Sequence, residues 1–323
     1  MIYKGIMKSI ALLFLLLLPL SAFASEITAD SYLLVEKDSF AVIAGKNYHR
    51  SLPPASTTKV LTTILALERL DEEQTIVPTK KVLSIPASKL SLYPGRPYKA
   101  ADLIKGAMVE SANDAAYSLS LAMAGSEEKF AEMMNEKARE IGALDSNFEN
   151  ASGLYLPGHR TSAYDLALIF RYALGNKRFQ EIIGTKYFFF NRGDAGDVRY
   201  MNHNRLLFCF APSIGGKTGF THASRHCYVG AFEKDGKTYI LSILGSRSLW
   251  MDAVGILQQI YTEVPTQREI SLVKATNVAM SASIVKEKKV ALASYTVKRE
   301  KKLVAKKKGK RARKGKHPKY RRV

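Results

Sequence analysis

The chain has 323 residues and a net charge of +20, but 18 Lys and Arg against Glu287 and Glu300 put +16 of it in residues 286–323. Lys4 and Lys8 put +2 in the first 24, which leaves only +2 for 25–285. The folded part is therefore no polycation, and the basic end is a block of like charge that repels itself and stays extended. Residues 1–24 read as a secretory leader: a basic front, an apolar run from Ile10 to Leu18, then Ala22-Phe23-Ala24 as a small-x-small cleavage site. The apolar run falls short of the ~20 residues a membrane span needs, with an uncleaved anchor as the rival reading. No other segment is long and apolar enough to span, so an exported protein is expected, in the periplasm or on the outer face of the cytoplasmic membrane.

The stretch 31–47, "SYLLVEKDSFAVIAGKN", reads as a β-hairpin turning at Lys37-Asp38. Pro53-Pro54 then blocks helix before Ala55, and a helix is expected over Ser56–Leu70. Residues 102–124 look helical on both sides of a break at Ser111-Ala112-Asn113. Ser126–Gly142 is an amphipathic helix with acidic residues in its first turn. Ser162-Ala163-Tyr164-Asp165 fits a capping box opening a helix to Leu174. Then the period changes. Strands are expected over 214–222, 226–233 and 237–245, the last two joined by Asp235-Gly236, and a closing helix over 248–262. After Pro265 regular pattern is lost. The order implies an α+β fold: an antiparallel sheet flanked by helices with an inserted helical lobe. The expected division is a leader at 1–24, one catalytic domain at 25–264 and a basic C-terminal tail at 265–323.

Two cysteines, Cys209 and Cys227, stand in an exported chain that permits a disulfide, yet Cys227 lies in a strand-like apolar run where buried free thiols are common. Asp30, Asp38, Asp194 and Asp197 show no metal-ligand spacing, and neither metal nor cofactor is expected.

Three short motifs carry chemistry. In "PPASTTKV", Ser56 and Lys59 sit three residues apart, so they share one face at the start of a helix. The positive end of the helix dipole favours a developing oxyanion there. A buried lysine of lowered pKa can take the serine proton; the plain alternative is an N-cap serine beside a solvated lysine. Ser111-Ala112-Asn113, 55 residues later, offers a hydroxyl for proton relay and an amide for a substrate backbone; its plain alternative is a helix break capped by Asp114. Lys217-Thr218-Gly219, 106 residues further on, offers a cation, a hydroxyl and a glycine that lets a peptide approach the strand. Ser-x-x-Lys, Ser-x-Asn and Lys-Thr-Gly in this order form the signature of penicillin-binding proteins and class A β-lactamases.

At this point the chain resembles the low-molecular-mass penicillin-binding proteins that act as serine D-alanyl-D-alanine carboxypeptidases. The blocks "PPASTTKVLTTILALE", "MVESANDAA", "NASGLYLPGHRTSAYDLALI", "NHNRLL" and "GGKTGFT" stand in family order across about 35–262. The resemblance implies the serine β-lactamase/transpeptidase fold. It makes Ser56 the acyl-enzyme nucleophile, Lys59 its general base and Ser111 the relay towards the leaving D-alanine nitrogen. Asn113 would orient the substrate peptide, and Lys217 would stand opposite Ser111. The oxyanion hole would be the backbone N–H groups of Ser56 and Phe220. The peptide would add as a strand along Lys217, Thr218, Gly219, Phe220 and Thr221, its carboxylate meeting Thr218, Thr221 and an arginine, Arg205 or Arg247. His159, His222 and His226 read as loop or strand residues. Implied partners are peptidoglycan stem pentapeptides and β-lactam antibiotics as acylating inhibitors.

The same motifs serve a DD-endopeptidase that cuts cross-links. A third reading is a non-catalytic wall-binding protein, against which the intact motifs speak. A class A β-lactamase is disfavoured because no convincing Glu-x-x-x-Asn block lies between Ser111 and Lys217. Relatives commonly carry a second domain and an amphipathic anchor, of which the last sixty residues show no sign. Their basic run fits anionic envelope polymers or an acidic membrane surface; export argues against nucleic acid.

Overall fold

The computed structural model describes residues 26–192 and 196–273. The expected leader and the basic run from 286 on lie outside them. The sequence 31–47 forms the expected hairpin, β1 (Ser31–Glu36) and β2 (Val42–Lys46). A 3-10 turn over Ala55–Thr58 leads into α1 (Lys59–Arg69), so the first turn of the expected helix is tighter than α. A two-residue pair, β3 (Thr75–Ile76) and β4 (Tyr98–Lys99), brackets a loop. Then α2 (Ala100–Val109) and α3 (Asn113–Ala124) flank the expected break. Next, α4 (Glu127–Ile141) starts on the Ser126 side chain and ends at Gly142 in the left-handed region, and α5 (Ala163–Ala173) starts on Ser162, whose hydroxyl accepts the Asp165 N–H. Only that half of the expected capping box forms: Asp165 turns its carboxylate to the Ser146 hydroxyl at 2.7 Å.

Between the lobe and the last strands lie elements the periodicity does not announce: α6 (Lys177–Ile183) and a hairpin of β5 (Tyr187–Asn191) with β6 (Asp197–Met201). After α7 (Leu206–Cys209), β7 (Ser213–Thr221), β8 (Arg225–Lys234) and β9 (Lys237–Ser246) follow, then α8 (Leu249–Leu257). The chain does not turn irregular at 265. Thr266 and Glu269 bond each other's backbone N–H groups as a capping box, and Ile270 is buried in the outer core.

The main sheet is antiparallel, in the order β2-β1-β9-β8-β7. Its inner strands β1, β9 and β8 are buried on both faces, which explains runs too apolar for simple alternation, while the edge strand β2 is exposed. On β1, Leu33 and Val35 face the helical lobe while Leu34 faces α8. On β8, Cys227, Val229 and Ala231 face the lobe while Tyr228 and Phe232 face α8. The segment before β1 and helix α8 are also joined by a buried carboxylate. Asp252 of α8 accepts the N–H and hydroxyl of Thr28, 224 residues away, and the Ser246 hydroxyl.

Candidate active site

The lobe and the edge strand β7 meet over a cleft of about 440 Å³ lined by Ser56, Ser111, Asn113, Gly153, Thr218, Gly219, Phe220 and Thr221, among others. Ser56 lies in the 3-10 turn, with Lys59 one turn further on. The Lys59 Nζ stands 2.9 Å from Ser56 Oγ, 2.7 Å from Asn113 Oδ1 and 2.7 Å from the Ser152 carbonyl. Lys59 is 0% exposed. Burial pushes its ammonium well below the ordinary lysine range; the nearby Lys217 charge lowers it further and Asp114 opposes.

The second lysine is held in the same manner. Lys217, on β7, reaches Ser111 Oγ at 2.9 Å and the Thr218 carbonyl at 2.7 Å. It too is buried, and desolvation brings it down to about 7 against the upward pull of Glu110. Ser111 sits between α2 and α3 at φ +64, a left-handed value that turns its hydroxyl out of the helical path towards Lys217. At the start of α3, Asp114 accepts the N–H groups of Leu90 and Leu92 at 3.0 Å and so fastens the 86–92 loop beside the cleft.

Asn113 is used in a way its sequence position does not reveal. Its Oδ1 takes Lys59, and Nδ2 donates at 3.0 Å to the carbonyls of both Pro86 and Ala87. The amide that the resemblance assigns to substrate is here bonded to Lys59 and to the 86–92 loop.

Gly219 abuts the turn that carries Ser56. A Cβ on it would stand 2.8 Å from the Ser56 nitrogen and 3.1 Å from the Pro54 carbonyl, so only glycine lets β7 run this close. Phe220 follows, 53% exposed, its ring 4.6 Å from His226 and 5.8 Å from His222. The Thr221 and Ser224 hydroxyls lie 2.7 Å apart and close the turn after β7. Arg205 lines the cleft with His203, whose Nε2 is 3.7 Å from the Glu110 carboxylate. Arg247 is exposed and does not line it.

The remaining sequence expectations sort plainly. Cys209 and Cys227 are free thiols; Cys227 is paired in register with Gly219, and burial pushes its thiol up to about 12. Among the described residues no group of His, Cys, Asp and Glu has the arrangement of a metal site, and no helix is long and apolar enough to cross a membrane. What the sequence missed is the 150–159 segment. Asn150 Oδ1 collects the N–H groups of Ser152 and Gly153, which aims the Ser152 carbonyl at Lys59. His159 lies in a loop as expected, but buried behind the turn that carries Ser56, 2.8 Å from Thr58 Oγ1. The block "NASGLYLPGHRTS" marks the region, but a backbone carbonyl leaves no trace in a sequence.

A family model described as D-alanyl-D-alanine carboxypeptidase, Peptidase_S11, matches residues 19–248. The D-alanyl-D-alanine carboxypeptidase DacB2 of Mycobacterium tuberculosis is 34% identical over 218 residues, 67% of this chain and 74% of that protein. DacF of Bacillus subtilis is 31% identical over 68% of this chain, but the match spans only 57% of DacF. A crystal structure of a D-alanyl-D-alanine carboxypeptidase from Mycobacterium tuberculosis superposes with a TM-score of 0.69 at 31% identity, over 76% of this chain and 96% of that one. A mutant of the Streptomyces K15 DD-transpeptidase superposes at 0.68 with 23% identity, over 73% of this chain and 97% of that one, a likeness of fold.

Proposed function

Since this chain belongs to the peptidase S11 family of D-alanyl-D-alanine carboxypeptidases, we propose that it removes the terminal D-alanine of peptidoglycan stem pentapeptides through an acyl-enzyme on Ser56. The observation that carries this reading is the three-way seat of Lys59. A protonated ammonium has three hydrogens, and three acceptors surround it. When burial strips one proton, the two remaining N–H groups stay on Asn113 Oδ1 and the Ser152 carbonyl, and the lone pair is left facing the Ser56 hydroxyl.

The steps follow. Ser56 Oγ attacks the carbonyl carbon between the two D-alanines and its proton passes to Lys59. The oxyanion is received by the backbone N–H groups of Ser56 and Phe220. The C–N bond breaks as Ser111 hands its proton to the departing D-alanine nitrogen and receives in its place the one held by Lys59, which returns Lys59 to the neutral form; Lys217 supports that transfer. Water then attacks the ester, Lys59 takes its proton, and Ser56 Oγ leaves with a proton restored. The bound peptide lies along the outer edge of β7 as an added strand. Thr218, Thr221 and Arg205 supply donors for its carboxylate, and Asn113 acts by holding Lys59. β-Lactams acylate the same serine.

The leader-like first 24 residues support export to the periplasm or outer face of the membrane, with 25–264 as the catalytic domain. The charge of the last 38 residues supports contact with anionic envelope polymers or lipid heads. The deciding experiment incubates the protein and Ser56→Ala with pentapeptide monomers and with cross-linked muropeptide dimers, read by mass spectrometry. Ser56-dependent tetrapeptide from monomers is expected. Dimers falling to monomers instead make the protein an endopeptidase, and no Ser56-dependent product from either leaves a wall-binding protein.

A further inference from the structure

Ala55, the residue before the nucleophile, has φ +50, unfavourable for any residue with a Cβ. Its carbonyl accepts the Thr58 hydroxyl at 2.8 Å. Thr58 Oγ1 also lies 2.8 Å from Nε2 of His159, which is 1% exposed. The direction of that second bond is determined by a third. The backbone N–H of Glu149 donates to His159 Nδ1 at 3.0 Å, so Nδ1 carries the lone pair and the ring hydrogen sits on Nε2. His159 therefore donates to Thr58, and Thr58 spends its own hydrogen on the Ala55 carbonyl. Burial holds the ring neutral, down to about 4, with the Lys59 charge adding to the effect. From the other side Gly153, at φ +80, presses on the same carbonyl: a Cβ there would come within 1.8 Å of the Ala55 oxygen.

The chain of bonds ends on one half of a single planar group. The Ala55 carbonyl and the Ser56 N–H belong to the same peptide, so fixing the oxygen fixes the direction of the hydrogen. That N–H is the oxyanion donor named above. We propose that His159 is a positioning residue for acyl transfer: through Thr58 it locks the Ala55–Ser56 peptide plane and so aims the Ser56 N–H at the oxyanion. The inference rests on the reading of Ser56 as nucleophile. The ordinary alternative, a core histidine that merely satisfies its own ring, predicts lost stability and an undisturbed acylation step.

The test measures acylation of the full chain by a fluorescent penicillin, resolved into noncovalent affinity and the acylation rate constant. Variants are His159→Leu, His159→Gln, Thr58→Val and the His159→Leu/Thr58→Val pair, each checked by near-ultraviolet circular dichroism. His159→Leu is expected to lower the rate constant about 100-fold, the scale of losing one oxyanion donor, with affinity little changed. His159→Gln, which keeps an N–H at that reach, recovers about tenfold of it, and the pair is no slower than its worse member. Folded His159→Leu acylating within about threefold of wild type, or a pair whose losses multiply, overturns the proposal. Should His159→Leu not fold, histidine nitrogen spectra of the intact protein decide. An Nε2–H ring that changes shift in Thr58→Val supports the proposal, and an Nδ1–H ring or an imidazolium at pH 7 overturns it. Ser56→Ala separates the two readings. Label that Ser56→Ala keeps overturns the nucleophile; label lost there but undiminished in His159→Leu overturns only the histidine's role.

Discussion

On one side of Ser56 the cleft wall is β7, laddered to β8 from Ser213↔Phe232 to Thr221↔Arg225. On the other it is the 150–159 segment, tied to its surroundings near two isolated bridges, Leu52↔Thr161 and Asn147↔Arg160. The strand wall is held by repeated backbone bonds, so its geometry survives changes of side chain; an exposed Phe220 is tolerated near its end. The loop wall is held by individual side chains, among them Asn150 to the Ser152 and Gly153 N–H groups and His159 to Thr58. Redundant bonding leaves a wall free to vary in what it recognises, whereas single bonds leave it fixed in what it aims.

That contrast is breakable, first and hardest at the glycines. Gly153→Ala puts a Cβ 1.8 Å from a backbone oxygen at a left-handed φ. The expected loss is about 3 kcal/mol or more, read by urea unfolding; a loss under about 0.5 kcal/mol would show that the loop wall yields. Gly219→Ala meets the Ser56 nitrogen at 2.8 Å without a positive φ. Its stability loss should be the smaller of the two, while penicillin acylation falls about 100-fold through the displaced oxyanion donors. Equal stability losses in the two variants would erase the difference between the walls. The smallest effect is expected from Glu110→Gln. The Glu110 carboxylate opposes the burial that brings Lys217 to about 7. Removing it lets Lys217 lose its proton at lower pH, so the alkaline limb of kcat/KM should move down by about half a unit. A limb that stays or moves up excludes Lys217 as its source.

Much of this was readable from the chain because local rules and the fold agree. Asp235-Gly236 with its flanking runs marks β8 and β9 to within a residue or two, and Ser126 and Gly142 mark both ends of α4. The β5–β6 hairpin escaped because Tyr187–Asn191 is an aromatic run without alternation and its partner, Asp197–Met201, is half polar. In the site, the five motif side chains Ser56, Lys59, Ser111, Asn113 and Lys217 are legible because their chemistry demands those residue types. The Ser152 carbonyl is not, since every residue has one. Nor is the Asn113 amide's engagement with Pro86 and Ala87, a contact made only once the 86–92 loop is folded back by Asp114. Arg205 and Arg247 look alike in sequence, and only the tertiary path puts the first in the cleft.

The clasp between Thr28 and Asp252 bears on when the protein becomes reactive. Strand β1 lies between β2 and β9, so the sheet closes only when residues near the end of the domain return to those near its start. Contacts at such sequence separation form late. Ser56 enters the chain early, yet β7, which flanks its turn, is held through β8 to that same closing strand. On the proposed mechanism, a chain whose sheet has not closed carries Ser56 without the Phe220 N–H beside it, and covalent capture by substrate or by a β-lactam is expected only once β7 is in place.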